Sequence, residues 1–169
     1  MSERSLFGEI TVEQFLAEYW HKKPLLIRGA FADYEFPVDA DELAGLACEA
    51  DVESRLITQS ADGEQFELKH GPLDESVFAD LPAQYWTLLV QAVDHWVPHA
   101  SELMQQFNFV PNWRLDDLMI SYAADGGGVG PHFDNYDVFL IQAAGRRRCR
   151  TSAPRAPSGS AAARGAPGF

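Results

Sequence analysis

Gly126-Gly127-Gly128-Val129-Gly130-Pro131-His132-Phe133-Asp134 is the stretch on which the reading of this chain turns. A glycine-rich turn delivers the backbone to a histidine and an acid two positions apart. On an extended strand, residues i and i+2 point to one face. His132 and Asp134 would therefore offer an imidazole nitrogen and a carboxylate oxygen to the same metal ion. A further histidine would complete a 2-His-1-carboxylate facial set, which leaves adjoining coordination positions open. No histidine follows position 132. An isolated HxD pair is weak evidence, because it arises often by chance and usually marks a surface pair. The surrounding residues decide its weight.

Gly126 to Gly130 lacks the Gly-Lys-Ser/Thr ending of a phosphate-gripping loop, so a tight approach to the following strand is the better reading. The flanks read as strands, Leu118 to Tyr122 before the loop and Val138 to Ile141 after it. Continuous apolar runs of this kind predict strands covered on both faces. Arg146-Arg147-Arg148 follows. On a strand, Arg147 faces opposite to its two neighbours, and one inward guanidinium can bind a carboxylate through two parallel hydrogen bonds. The outward pair reads as solvated charge.

Upstream signals predict a mixed α/β body. Thr11 with Gln14 forms a capping box ahead of the helical face Val12, Phe15, Leu16 and Tyr19. Pro24 to Ile27 reads as a short strand ended by Gly29, and Asp41 to Cys48 as a helix with Leu43, Leu46 and Ala47 inward. Arg55 to Thr58 and Gln65 to Lys69 flank Ala61-Asp62-Gly63, a hairpin signature. Trp86 to Val90 reads as a further strand, and Pro98 suits the first turn of a helix reaching about Phe107.

The chain has 169 residues, 46% of them hydrophobic, which suffices for one domain with a packed core. No run approaches a membrane helix, and the N-terminus lacks the apolar core of a secretion signal, so a cytoplasmic location is expected. Cys48 and Cys149 lie far apart without CxxC spacing, as in a reducing compartment. A net charge of -12 argues against direct nucleic-acid binding and favours encounter with a basic protein.

Composition breaks near residue 151. Ala, Pro, Gly and Arg fill 14 of residues 151–169, which carry +2, against -14 for the first 150. The tail reads either as a disordered extension or, preferably, as a GC-rich gene translated out of frame, because the break falls inside an expected strand. The expected division is an α/β part over 1–92, a β-rich part with the HxD pair over 93–150, and this tail.

Asp117 to Tyr122, Gly126 to Asp134, Tyr136 to Phe139, Gln142 to Arg148 and the N-terminal Tyr19 to Leu26 together resemble the bacterial ribosomal oxygenases, in the JmjC branch of the cupin superfamily. The resemblance covers most of residues 1–150. It implies an α+β fold: the N-terminal half of a double-stranded β-helix with flanking helices, incomplete at the C-terminus. It also implies Fe(II) and 2-oxoglutarate as cofactors and hydroxylation of an arginine side chain in a basic large-subunit ribosomal protein. By position, His132 and Asp134 would bind iron, Arg147 the distal carboxylate of 2-oxoglutarate, and Ser121 would add a hydrogen bond to the cosubstrate. Full-length members are expected to be homodimers, with the second histidine on a later strand.

Cys149 stands where the family pattern has an aromatic residue, and the distal histidine is missing. The resemblance therefore implies an oxygenase lineage with doubtful activity for this exact chain. Two other readings stay open: a non-catalytic cupin-like remnant binding a basic protein, and a metal-binding cupin that recruits an upstream histidine. For the remaining histidines the bland readings stand. His95 and His99 are separated by Pro98 and a helix start, His70 ends a strand, and His21 lies beside Lys22-Lys23. Trp86, Trp96 and Trp113 read as core or lid residues.

Overall fold

The computed structural model describes residues 6–31 and 34–150. The tail reading over 151–169 lies outside the described residues. The chain separates into two units, Met1–Gly130 and Pro131–Phe169.

Within the first unit, helix α1 (Val12–Glu18) begins at Thr11, whose hydroxyl accepts from the Gln14 amide while the Gln14 side chain accepts from the Thr11 amide. The expected capping box is present. Phe15 on its inner face stacks on Phe7 at 4.2 Å and meets Phe109 edge-on at 5.9 Å, so an aromatic cluster anchors the helix. Helix α2 (Ala40–Cys48) starts with a second capping box, Asp39 with Glu42, and buries Leu43 and Ala47. Two short helices, α3 (Ser76–Ala79) and α4 (Pro98–Met104), follow later, the latter opening on a proline and continuing as a tighter turn over Gln105–Phe107.

Strands β1 (Ser54–Gln59), β2 (Phe66–His70), β3 (Trp86–Val90) and β4 (Ile120–Ala123) form one antiparallel sheet in the order β2-β1-β3-β4. The β1–β2 hairpin closes over the expected turn, where Asp62 accepts from the Ser60 hydroxyl and the Glu64 amide. These bonds favour the ionised form and hold the Asp62 carboxyl below the usual range.

Registered partners share a face, so the pairings sort the sheet into two sides. Ser54, Leu56, Leu88 and Val90 lie on one side, and Arg55, Ile57, Thr87, Leu89 and Ser121 on the other. The first side makes the core with Leu43 and Ala47 of α2, joined by Val52, Leu73, Val93 and Ala100. The Ser54 hydroxyl, buried there, donates to the Ala47 carbonyl at 3.1 Å and ties the end of the helix to the sheet.

A polar latch joins the end of β3 to the start of β4. The Asp117 carboxylate accepts from Gln91 Nε2 at 2.8 Å and from the Ala92 amide at 2.9 Å, while Arg55 Nη2 donates to Gln91 Oε1 at 2.9 Å. Asp94 accepts from the Leu118 amide at 2.8 Å, and the Leu118 carbonyl receives the Val93 amide at 2.9 Å. Leu118 is thus bonded to the turn after β3, which is why β4 begins at Ile120 rather than at the expected Leu118.

The Gly-rich loop is welded to the end of the same sheet. The Ala124 amide donates to the Trp86 carbonyl at 3.1 Å, and the Tyr85 amide to the Asp125 carbonyl at 3.0 Å. Gln59 Nε2 donates to the Gly126 carbonyl, and the buried Thr87 hydroxyl to that of Gly128 at 3.3 Å. A β-carbon on Gly127 would collide with the Trp86 carbonyl and lie 2.9 Å from that of Ala124. Gly126 has φ +76, and a side chain there would meet the Tyr85 ring at 2.5 Å.

Several strand expectations fail. Pro24 to Ile27 forms no strand, and Leu26 is exposed. The segments holding His132–Asp134, Val138–Ile141 and Arg146–Arg148 form none either. Apolar runs advertise a strand but name no partner, and among the described residues none of these segments finds a ladder to join. Of the three tryptophans read as core or lid residues, Trp86 packs against the core, while Trp96 and Trp113 are exposed and so are not core residues.

Gly127→Ala should lower stability by about 1–3 kcal/mol, the cost of forcing a methyl group into a closed backbone contact. Leu88→Ala should cost about 2–5 kcal/mol by leaving a cavity under α2. Urea unfolding midpoints check both; a midpoint unchanged by Gly127→Ala would mean that the loop does not sit on β3 in solution.

Candidate metal centre

In the second unit, His132 Nε2 lies 3.8 Å from Asp134 Oδ2, with the two side chains 47% and 36% exposed. The intended juxtaposition is therefore present without the strand expected to create it. A first-row metal bonds imidazole nitrogen or carboxylate oxygen at about 2.1 Å, which puts neighbouring octahedral donors about 3 Å apart. Closing the pair by about 0.8 Å, within reach of a side-chain rotation, would suit one ion. The donor chemistry fits a divalent metal as two ligands of a set. Among the described residues, no group of three His, Cys, Asp or Glu side chains converges as a metal site.

Arg147 also belongs to the second unit and is exposed, as are Arg146 and Arg148. The inward placement expected for Arg147 depended on strand alternation, and without a strand there is no alternation to impose it. Asp137, His132 and Arg147 each make contacts of their own within the fold. Phe133, Tyr136, Val138 and Leu140 are exposed, while Phe139 and Ile141 are half-buried.

Ser121 lies in the first unit, on β4 opposite Leu89, and is half-buried. Its row across the sheet runs Ser121, Leu89, Arg55 and His70. Arg55 thus stands on the same sheet face as Ser121, two strands away, its guanidinium held by Gln91. Neither Arg55 nor the loop clamps Gln59 and Thr87 stood out in the sequence. Each is a polar residue inside a strand, and only the strand register shows what it faces.

His95 lies 3.7 Å from the Asp94 carboxylate, and this histidine is largely exposed, so it pairs with its neighbour rather than with His99. Cys48 is a poor nucleophile: burial, then the nearby acids Glu75, Asp74 and Glu49, push its thiol pKa up. No helix among the described residues is long and apolar enough to cross a membrane.

The JmjC domain family matches residues 102–165. The chain is 48% identical over 136 residues to the ribosomal protein uL16 3-hydroxylase of Escherichia coli K12, covering 80% of this chain and 35% of that protein. It is 42% identical over 139 residues to a probable ribosomal oxygenase of Haemophilus influenzae, covering 82% of this chain and 34% of that protein. The structure of the E. coli ribosomal oxygenase YcfD with cobalt and succinic acid superposes with a TM-score of 0.69 at 43% identity, over 75% of this chain and 34% of that one. Its complex with cobalt and 2-oxoglutarate matches with the same TM-score at 41% identity. The chain spans about a third of the length of these relatives. These likenesses, together with the helix-backed antiparallel sheet and the loop that leads into the His132–Asp134 pair, place the chain in the JmjC-domain family of cupin fold, with the ribosomal oxygenases.

Proposed function

We propose that this chain carries the metal-binding part of an Fe(II)- and 2-oxoglutarate-dependent oxygenase that hydroxylates an arginine side chain of a large-subunit ribosomal protein. The observation that carries the reading is the His132–Asp134 pair, with donors 3.8 Å apart, four residues beyond a loop clamped to the sheet. Identity of 48% to a ribosomal protein hydroxylase supports the substrate class. When bound, iron with 2-oxoglutarate supplies the oxidising power for C–H hydroxylation.

The residues of the chain bind and orient. His132 gives an imidazole nitrogen and Asp134 a carboxylate oxygen to the metal. Arg147 offers two parallel hydrogen bonds to the distal carboxylate of 2-oxoglutarate, a geometry that lysine does not match. Ser121, on the sheet face away from α2, adds a hydrogen bond to the cosubstrate. The negative balance of residues 1–150 favours approach of a basic ribosomal protein in the cytoplasm. Full-length relatives are proposed to act as homodimers, and the segment over 93–150 is proposed as the part of the β-helix that bears the HxD pair.

A second reading, a non-catalytic cupin-like part that binds a basic protein, is favoured by one observation: among the described residues the metal donors number two, not three. Two protein ligands hold Fe(II) weakly and with poor control of geometry. The 169-residue polypeptide by itself should accordingly form negligible succinate from 2-oxoglutarate with Fe(II). Robust succinate formation that disappears in His132→Ala would overturn this and point to recruitment of another ligand.

Metal binding tests the pair directly. Cobalt(II) titrated into the polypeptide should selectively broaden the His132 ring resonances, and His132→Ala or Asp134→Ala should weaken binding roughly 10-fold to 100-fold. A titration indifferent to both substitutions would remove the metal-site reading altogether.

A further inference from the structure

The glycine-rich loop crosses the sheet on the face away from α2, where Thr87 stands. Gln59 and its registered partner Phe66 stand there too, by alternation from Ile57. Tyr85, beside the start of β3, lies against Gly126. The Gln59 amide donates to the Tyr85 carbonyl at 2.8 Å, while the Gln59 side chain holds the Gly126 carbonyl and Thr87 that of Gly128. The ring of Phe66, on β2, lies against Gly130. The loop therefore leaves β4, passes over β3 and β1, and ends on the edge strand.

The contact at Gly130 has a definite geometry. With φ +75, the direction in which a side chain would leave Gly130 points at the Phe66 ring. A β-carbon there would lie 3.3 Å from Cζ and 3.5 and 3.6 Å from Cε1 and Cε2. Nearly equal distances to the tip carbon and both its neighbours place that direction over the ring face, not at its edge. A glycine hydrogen fits where a methyl group would press on the ring. Phe66 is 38% exposed and absent from the core, and every residue of β2 except Leu68 is exposed. Its apolar surface serves the loop instead of the core.

We infer that Phe66 is a positioning residue for the metal pair: its ring seats Gly130 and so fixes the point from which the backbone departs toward His132. This rests on the proposed metal-binding role of His132 and Asp134. Gly130 is the last residue of the sheet-bearing unit, and only Pro131 separates it from His132. The proline ring locks its own φ, so few soft dihedrals lie between the seat and the histidine. A fixed start narrows the positions that His132 samples before a metal arrives, which lowers the entropy lost on binding. Tyr85 and Gln59 hold the beginning of the loop, and Phe66 holds its end.

The test is NMR of the full 169-residue chain, first metal-free and then titrated with cobalt(II). In the metal-free chain one Gly130 Hα should resonate upfield under the ring current of Phe66. That displacement should vanish in Phe66→Ala and persist in Leu68→Ala. Leu68 lies on the same face of β2, beyond the row that carries the loop, so it controls for loss of an apolar side chain from that strand. Cobalt(II) affinity should fall about tenfold in Phe66→Ala, the size typical of residues that orient a metal ligand. Phe66→Leu should restore part of it, and Leu68→Ala should leave it unchanged. An unshifted Gly130 overturns the inference, as does a Phe66→Ala chain that binds cobalt as tightly as the native one. Equal losses in Phe66→Ala and Leu68→Ala would mean general destabilisation and overturn it too. If cobalt binding by the native chain is instead indifferent to His132→Ala, the metal-site reading fails and the positioning role goes with it. Dependence on His132 without dependence on Phe66 is the failure of this inference alone.

Discussion

The carbonyl oxygen of Trp86 is the backbone contact on which the glycine-rich turn of the sheet-bearing unit depends. It accepts the Ala124 amide at 3.1 Å and occupies the space where a side chain on residue 127 would begin. That contact fixes how the backbone turns away from β4, and Gln59 and Thr87 hold the next carbonyls of the turn. Gly127 is therefore required by the neighbouring strand, not by flexibility. A loop that must be glycine because a backbone presses on it is rigid, and rigidity suits a segment that leads into candidate metal ligands.

The same economy governs the junction of β3 and β4. A non-glycine residue, Ala92, takes the left-handed conformation with φ 51, and its amide is captured by Asp117. The carboxylate also holds Gln91, which orients Arg55. Polar groups that would be costly if left unmatched in a half-buried site are thus all engaged, and no buried side-chain nitrogen or oxygen among the described residues lacks a partner. The latch also sets the register of β4, and with it the position of Ser121.

Charge works at two ranges in this protein. The overall negative balance acts at a distance and specifies no position on the surface. Local pairs act at contact: Asp117 on Gln91, Asp94 on Leu118, and the His132–Asp134 couple. The candidate metal centre draws on the second kind. Its two donors are local in sequence, and any further ligand must be brought in by tertiary structure.

Features with local causes were legible from the chain alone. The capping boxes at Thr11 and Asp39 follow from side chains bonding amides three residues away, although only the first was recognised from the sequence. The β1–β2 hairpin follows from its turn residues, the Pro98 helix from proline at the first turn, and the proximity of His132 to Asp134 from their spacing. Pairing was not legible, because apolar runs such as Pro24 to Ile27 and Val138 to Ile141 look like strands whether or not a ladder awaits them. Only the folded sheet shows that Arg55, Thr87 and Ser121 share one face, that Leu118 bonds the turn after β3, and that Gly127 lies against Trp86. Those facts depend on register between segments distant in the chain, and register is a property of the assembled sheet.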